Sequence, residues 1–590
     1  MYLNGFYSQI LSPMRCGLLL ITLFSFYIGA TPSCLSGLGQ FKGIPHSAYS
    51  PGTENRSPFV RLKSISEGYE NRWLVSPRWQ TTSDISKGDV LEARVRLRLR
   101  SGPKGKAHIV FRTNEQPNVV SLYSTFELDT ARHTFTIPFR SMAYTESGQA
   151  YLGLGFGSMQ QTVEIESVVL YNHGRSRTVE SFDYDPFHGQ SNEAWRDRAK
   201  ENIDRIRKAN MAITVRDSTG AAHHNCTVSL KMIQHQFGFG GLFNFHIFRH
   251  QHNRPGDVAK YLAYFPKYFN YSTVGWGPMW RDWENQKSFI TLQGKAVEWL
   301  NERRIPVIAM SNALIQPIRR FYPERVFAAM ERGEYKRYLD LSSSYLKKRV
   351  SLLSDVQVDH WIGTNEYVSS PFFPDKKVDL MQHHFQILDS IAPNATLGSL
   401  EHKIIGERNC KYEDQYFVNI KNLIDRGVQL SRIGFQGRFK YHMLTPPDTI
   451  QRILDRFAEL NIPLQIHEFE IVHVYDSTLL YRYTRDLLTV TFSHPSMREF
   501  LFFTFWSHIP EDDHRALFRH DWTPTPMGRA FLDLVHGEWK TNVEGPTDDR
   551  GRFTTDAFLG DYEIRVCHQA DTLVLHKTLN SSGLDLDIVF

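Results

Sequence analysis

Cysteine is scarce in this chain. Five cysteines in 590 residues (Cys16, Cys34, Cys226, Cys410 and Cys567) are too few and too scattered for a dense disulfide scaffold or a zinc pattern. Charge of one sign is also missing. The net charge of +5 comes from 68 basic and 63 acidic residues with no long basic run, so nucleic acid is not the expected partner. No stretch reaches the roughly 20 apolar residues that span a bilayer as a helix. The longest one near the N-terminus, Cys16–Ala30, counts fifteen residues after Arg15 and is followed by small and turn-forming residues, the pattern of a secretory signal rather than an anchor. The segment Phe237–Gly241 carries glycines but lacks the Lys-Ser/Thr ending of a phosphate loop. His246, His250 and His252 have ligand-like spacing, yet no acidic or cysteine partner completes a metal motif. No Ser-His-Asp signature, internal repeat or long low-complexity run is present.

What the chain does contain is aromatic and apolar. Aromatic residues make up 13% and apolar residues 41%, which excludes wholesale disorder, and the length implies more than one hydrophobic core. Five Asn-x-Ser/Thr triplets, at Asn55, Asn225, Asn270, Asn394 and Asn580, suit an exported chain, with Asn270 expected to stay unmodified beside a core strand. Between about Phe41 and Asn172, short runs alternate in period two, at Val90–Leu99, Ala107–Arg112, His133–Pro138, Ala150–Gly155 and Val163–Tyr171. That rhythm, without a convincing helix, predicts an antiparallel β-sandwich (jelly roll). A polar linker from His173 to Asn192 and a charged amphipathic helix from Glu193 to Ala209 follow.

Beyond Met211 apolar strands alternate with amphipathic helices. Eight candidate strands are Phe237–Phe243, Tyr271–Trp276, Pro306–Met310, Trp361–Thr364, Thr396–Leu400, Ile433–Gln436, Leu464–Phe469 and Leu501–Trp506. Their number, order and span predict a (β/α)8 TIM barrel, with an open doubly wound sheet as the alternative. After Gly537 the pattern returns to turns and short strands, a small β appendage. The expected division is therefore 1–33 signal peptide, 40–175 β-sandwich, 176–204 linker and helix, 205–536 barrel and 537–590 C-terminal extension.

Two strings end apolar runs on a glutamate: Asp359–Glu366 and Pro463–Glu470. In a barrel, the C-terminal strand ends converge on one face. Glu366 after strand four and Glu468 after strand seven would meet there. Cleavage of a glycoside by double displacement needs two such carboxyls about 5–5.5 Å apart, one to protonate the leaving oxygen and one to attack the sugar carbon. The alternative for either glutamate is a solvated or ion-paired residue at a strand end.

These residues carry a resemblance. The barrel region resembles glycoside hydrolase family 10, the endo-β-1,4-xylanases, over roughly residues 205–536. Trp361–Glu366 is similar to its acid/base motif, and His467–Glu470 to its nucleophile motif. Ile433–Gly437 resembles its strand-six segment, and Phe502–Trp506 with Pro524, Pro526 and Ala530 its closing strand and last helix. The resemblance implies Glu366 as acid/base, Glu468 as nucleophile, Asn365 and Gln436 as sugar-hydroxyl partners, and Trp506 as a stacking platform, with Trp276 and Trp280 as weaker platforms whose alternative is core packing. It also implies a carbohydrate-binding role for the N-terminal sandwich. The chain departs from the pattern at strand two, where Gly275-Trp276-Gly-Pro-Met279-Trp280 replaces the usual polar clamp, and near strand three, where Asn312 stands instead of a histidine. After Gln436, Arg438 replaces the family's histidine and is placed to pair with Glu468. Glu470 is either a neighbour of Glu468 or the attacking group itself. The resulting expectation is a secreted, extracellular, monomeric retaining hydrolase of β-1,4-linked polysaccharide, xylan first. It would need no cofactor or metal and have no membrane or nucleic-acid partner. A carbohydrate-binding protein with weakened turnover is the alternative, and an extracellular adhesion protein that binds protein partners the third.

Overall fold

A computed structural model of the chain describes residues 40–42, 49–54, 57–66, 68, 71–102, 104–114, 118–187, 194–249, 255–274, 279–285, 287–406, 410–440, 443–472, 476–569 and 571–590. The expected signal segment, Asn55, His250, His252, Gly275 and Trp276 lie outside these residues. Two compact units are present: residues up to 189 with 441–443, and the rest.

The first unit holds two five-stranded antiparallel sheets. All five alternating runs lie on its strands, for example Val90–Ser101 and Gln161–Asn172. Successive side chains of a strand point to opposite faces. Along Val90–Ser101 this sends Ala93, Val95, Leu97 and Leu99 into one core, where they meet Ile109, Phe111, Leu152 and Leu154 of the other sheet.

In the second unit eight parallel strands close into a barrel. They are β1 (Gly238–Leu242), β2 (Tyr271–Val274), β3 (Val307–Met310), β4 (His360–Asn365), β5 (Thr396–Glu401), β6 (Arg432–Lys440), β7 (Leu464–Val472) and β8 (Met497–Phe502). Pairing of β1 with β8 completes the ring. Ile308, Met310, Ile362, Leu400 and Leu501 fill its interior, so the barrel is a packed core and chemistry is confined to its ends. At the N-terminal end Arg432 reaches both carboxylate oxygens of buried Glu499, at 2.9–3.1 Å. Asn270, just before β2, donates to the carbonyls of His235 and Phe237 and accepts from Phe239 N, so its amide is fully engaged in the fold.

The expected boundaries at 205 and 537 need correction. Lys208–Arg216 pairs with Arg552–Phe558 and Leu584–Val589, and Thr227–His235 pairs with Asn542–Pro546 and Gly560–His568. The C-terminal residues are therefore not a free-standing appendage; they share sheets with the strands that lead into the barrel. The rhythm along 208–235 is period two, but a partner more than 300 residues away leaves no local trace. Among the described residues no helix is long and apolar enough to cross a membrane.

Candidate active site

The C-terminal end of the barrel is built by local distortions of its strands. β4 carries one residue more than β5 between Ile362 and Thr364. Such a bulge re-aims the side chains that follow. Gly363 occupies it because a Cβ there would lie 2.8 Å from Phe385, and Ser311 Oγ donates to the Gly363 carbonyl at 2.8 Å. The backbone then turns left-handed at Glu366, with φ 63°. β7 is distorted in the same way. Three residues of β6, from Gln436 to Arg438, face four of β7, from His467 to Glu470. Glu468 takes φ 55° within that bulge, and Asn312, beyond β3, has φ 52°. Non-glycine residues in this region cost of order 1–3 kcal/mol and persist only where packing over-determines them.

β6 holds both glutamates. Gln436 Nε2 donates to Glu366 Oε1 at 2.9 Å and to Asn365 Oδ1 at 3.1 Å. Two residues on, Arg438 Nε donates to Glu468 Oε2 at 2.9 Å and Nη1 to Glu470 Oε1 at 2.7 Å. Glu470 is fixed from its other side by Arg515, at 2.8–3.1 Å. With two arginines on its carboxylate, Glu470 is a structural partner of Arg438 rather than a free attacking group.

Glu366 and Glu468 are 7% and 9% exposed. Burial pushes the Glu366 carboxyl up, but the charge and contact of His402, the Gln436 hydrogen bond and the charge of Arg438 outweigh it and hold it at about 2. For Glu468 burial wins, helped by the charges of Glu366 and Glu470, and its carboxyl is raised despite Arg438. The two glutamates thus sit in different environments and resist each other's ionisation. At rest, Glu366 is the more firmly ionised of the two, the reverse of the order that acid and nucleophile roles suggest.

The remaining candidates divide. Asn365, Asn312 and Gln436 are buried at this end of the barrel. Trp506, just beyond β8, is 7% exposed and stacked on Trp522, with centroids 4.9 Å apart and planes 9° apart. Among the described residues its indole Nε1 has no hydrogen-bond partner. Trp280 is a correction. It is 1% exposed, stacked on Tyr345 at 4.3 Å and hydrogen-bonded to Glu284, so it is a packing residue with no face for a sugar.

Three residues escaped the sequence reading. His402 Nδ1 lies 3.4 Å from Glu366 Oε1. Glu401 accepts from Val368 N at 2.8 Å and Ser369 Oγ at 3.1 Å, tying down the turn after Glu366, and burial raises its carboxyl to about 7. Trp522 backs Trp506. A signal for the first two existed: Glu401-His402 ends the apolar run of β5 just as Asn365-Glu366 ends that of β4.

Residues 358–515, which contain Glu366, His402, Gln436, Arg438, Glu468 and Trp506, match the model of glycosyl hydrolase family 10. This segment is a family 10 domain, and the domain is that of a glycoside hydrolase. The anti-sigma-I factor RsgI6 of Acetivibrio thermocellus is 26% identical over 389 residues, covering 63% of this chain and 46% of the relative. The chain thus spans about half the length of that curated relative. Native xylanase 10B from Thermotoga maritima is similar in structure, with 19% identity, a TM-score of 0.43 and coverage of 51% of this chain and 96% of that one. Native xylanase 10C from Cellvibrio japonicus covers 85% of this chain and 97% of its own, with 13% identity and a TM-score of 0.43.

Proposed function

We propose that this family 10 domain makes the chain a secreted, monomeric, retaining endo-β-glycosidase that cuts β-1,4-linked polysaccharide, xylan first. The observation that carries the reading is the paired hold of β6 on two glutamates, Gln436 on Glu366 and Arg438 on Glu468.

In the first step a Glu468 oxygen bonds to the anomeric carbon as the glycosidic C–O bond breaks, and Glu366 supplies a proton to the leaving oxygen. In the second, water attacks that carbon, Glu366 takes a proton from it, and Glu468 departs as carboxylate. Arg438 serves this cycle by opposing the burial of the Glu468 charge in both its arrival and its release. Asn365 is placed beside Glu366 to hold a sugar hydroxyl whose hydrogen bond strengthens as the ring gains positive charge. The substrate class follows the family match.

A second reading, glycan binding with attenuated turnover, is favoured by one observation: His402 Nδ1 lies 3.4 Å from Glu366 Oε1, a contact that favours the carboxylate over the acid. Replacement Glu468→Gln separates the two. It abolishes hydrolysis of xylan and of an aryl β-xyloside while leaving glycan binding in place, and unchanged turnover refutes the assignment of Glu468.

A further inference from the structure

His402 has no place in the two-carboxylate scheme, yet it is set among the groups that perform it. It stands at the C-terminal end of β5, with its side chain 12% exposed and Nδ1 3.4 Å from Glu366 Oε1. Its own backbone N–H donates to Glu401 Oε1 at 3.2 Å. Among the described residues its Nε2 is buried and without a hydrogen-bond partner, a costly state unless that atom meets something in the working site. His384 satisfies both ring nitrogens, between Tyr367 and Ser342, whereas buried His360 and His467, like His402, leave Nε2 unpartnered among the described residues; what sets His402 apart is that its other ring nitrogen faces Glu366.

We infer that His402 is the resident proton carrier of this site, seated between Glu366 and Glu401 so that the buried cleft keeps one exchangeable proton beside the carboxyl that must deliver it. The inference deepens the reading of Glu366 as acid/base and rests on it. His402 is a positioning residue for that proton and makes no bond to the sugar carbon.

The charges facing His402 act in a consistent direction. Burial opposes an imidazolium there, but Glu366 and Glu401 favour it, and together they outweigh both burial and the nearby charge of Lys403, so the ring is raised above its ordinary value of 6.5. Arg438, from β6, acts on the other member of the pair by favouring the Glu366 carboxylate. Glu366 and His402 therefore share one proton, and at rest it lies on the imidazole.

The proton balance is simple. The shared proton first passes from His402 Nδ1 to Glu366; as the glycosidic C–O bond breaks and Glu468 bonds to the sugar, Glu366 gives that proton to the leaving oxygen and is left as carboxylate beside a neutral imidazole. The 3.4 Å gap must close by a few tenths of an ångström for this transfer. When water attacks, its proton passes to Glu366 and back to His402, and Glu468 leaves as carboxylate. The net change is the addition of one water across the glycosidic bond.

The sign of the pH effect follows. A pair that shares one proton loses it only above about pH 6.5, whereas Glu366 alone would lose it in the carboxylic acid range. His402 thus extends the alkaline limb of kcat/KM toward neutral pH. His402→Gln, which keeps polarity and bulk, is expected to move that limb down by about one pH unit or more on xylo-oligosaccharides. A dinitrophenyl β-xyloside, whose leaving group needs little protonation, is expected to lose far less at neutral pH. An equal loss at every pH and on both substrates would overturn the inference, because that is what a merely structural role produces. Imidazole nitrogen shifts of the full chain, with His402 assigned by difference from His402→Gln, read the same claim without turnover. His402 should titrate above pH 6.5 in the parent chain and fall below it in Glu366→Gln. A His402 titration that Glu366→Gln leaves unmoved would overturn the inference. If the parent chain hydrolyses no glycan, the functional reading fails while this titration still decides whether the pair shares its proton.

Discussion

Arg438 donates from Nε to Glu468 Oε2 at 2.9 Å and spends its remaining reach on Glu470. Its guanidinium also lies 4.0 Å from the centroid of the Phe503 ring, which limits its freedom to swing away. The acid limb of kcat/KM reports ionisation of the attacking group. Arg438 opposes the upward push of burial on Glu468, so Arg438→Met should raise the Glu468 carboxyl further and move the acid limb to higher pH. Arg438→Lys, which keeps the charge but loses the fork, should shift it less. A pH profile of each variant checks the order.

The two tryptophans should separate cleanly. Trp280 is a core residue, so Trp280→Ala should destabilise the fold by about 3–5 kcal/mol in denaturant unfolding. Trp506 stacks on Trp522 beyond β8. Trp506→Ala should raise KM for xylo-oligosaccharides about tenfold, the loss of one stacking contact of roughly 1.4 kcal/mol, an effect on binding that Trp280→Ala lacks where both variants are fully folded.

Gly363 links backbone shape to chemistry. A methyl group there would meet Phe385 at 2.8 Å and Leu388 at 3.0 Å. Gly363→Ala should cost about 1–3 kcal/mol through overpacking, and it should also displace the turn that aims Glu366. Turnover at a temperature where the variant is fully folded is therefore expected to fall, whereas Gly427→Ala, outside the barrel strands at a left-handed position with open space around it, should lower stability and leave turnover unchanged.

The strands that precede the barrel depend on the end of the chain. Lys208–Arg216 is flanked by Arg552–Phe558 on one side and Leu584–Val589 on the other. A chain ending after Thr541 would leave Met211, Ile213 and Val215 uncovered, so it should be recovered mainly as aggregate. Expression of the shortened chain beside the full one, compared by soluble yield, checks this.

The sequence carried the barrel well, because short apolar strands alternating with amphipathic helices report on a parallel sheet covered on both faces. It pointed to Glu366 and Glu468 because each ends an apolar run, and the contact of Arg438 with Glu468 followed from the resemblance, in which Arg438 stands where the family has a histidine. It did not carry the bulges at Gly363 and Glu468, which depend on pairing register between strands dozens of residues apart. It did not separate Trp280 from Trp506, since the two indoles differ only in what packs against them. His402 was passed over although Glu401-His402 ends the apolar run of β5, because its partner Glu366 lies 36 residues away and the run alone does not show that the two meet.

The stereochemistry of the first product tests the central claim most directly. Xylotetraose hydrolysed in an NMR tube should give the β-anomer at the new reducing end before mutarotation, as double displacement through Glu468 requires. Initial appearance of the α-anomer, or no cleavage at all, would contradict it.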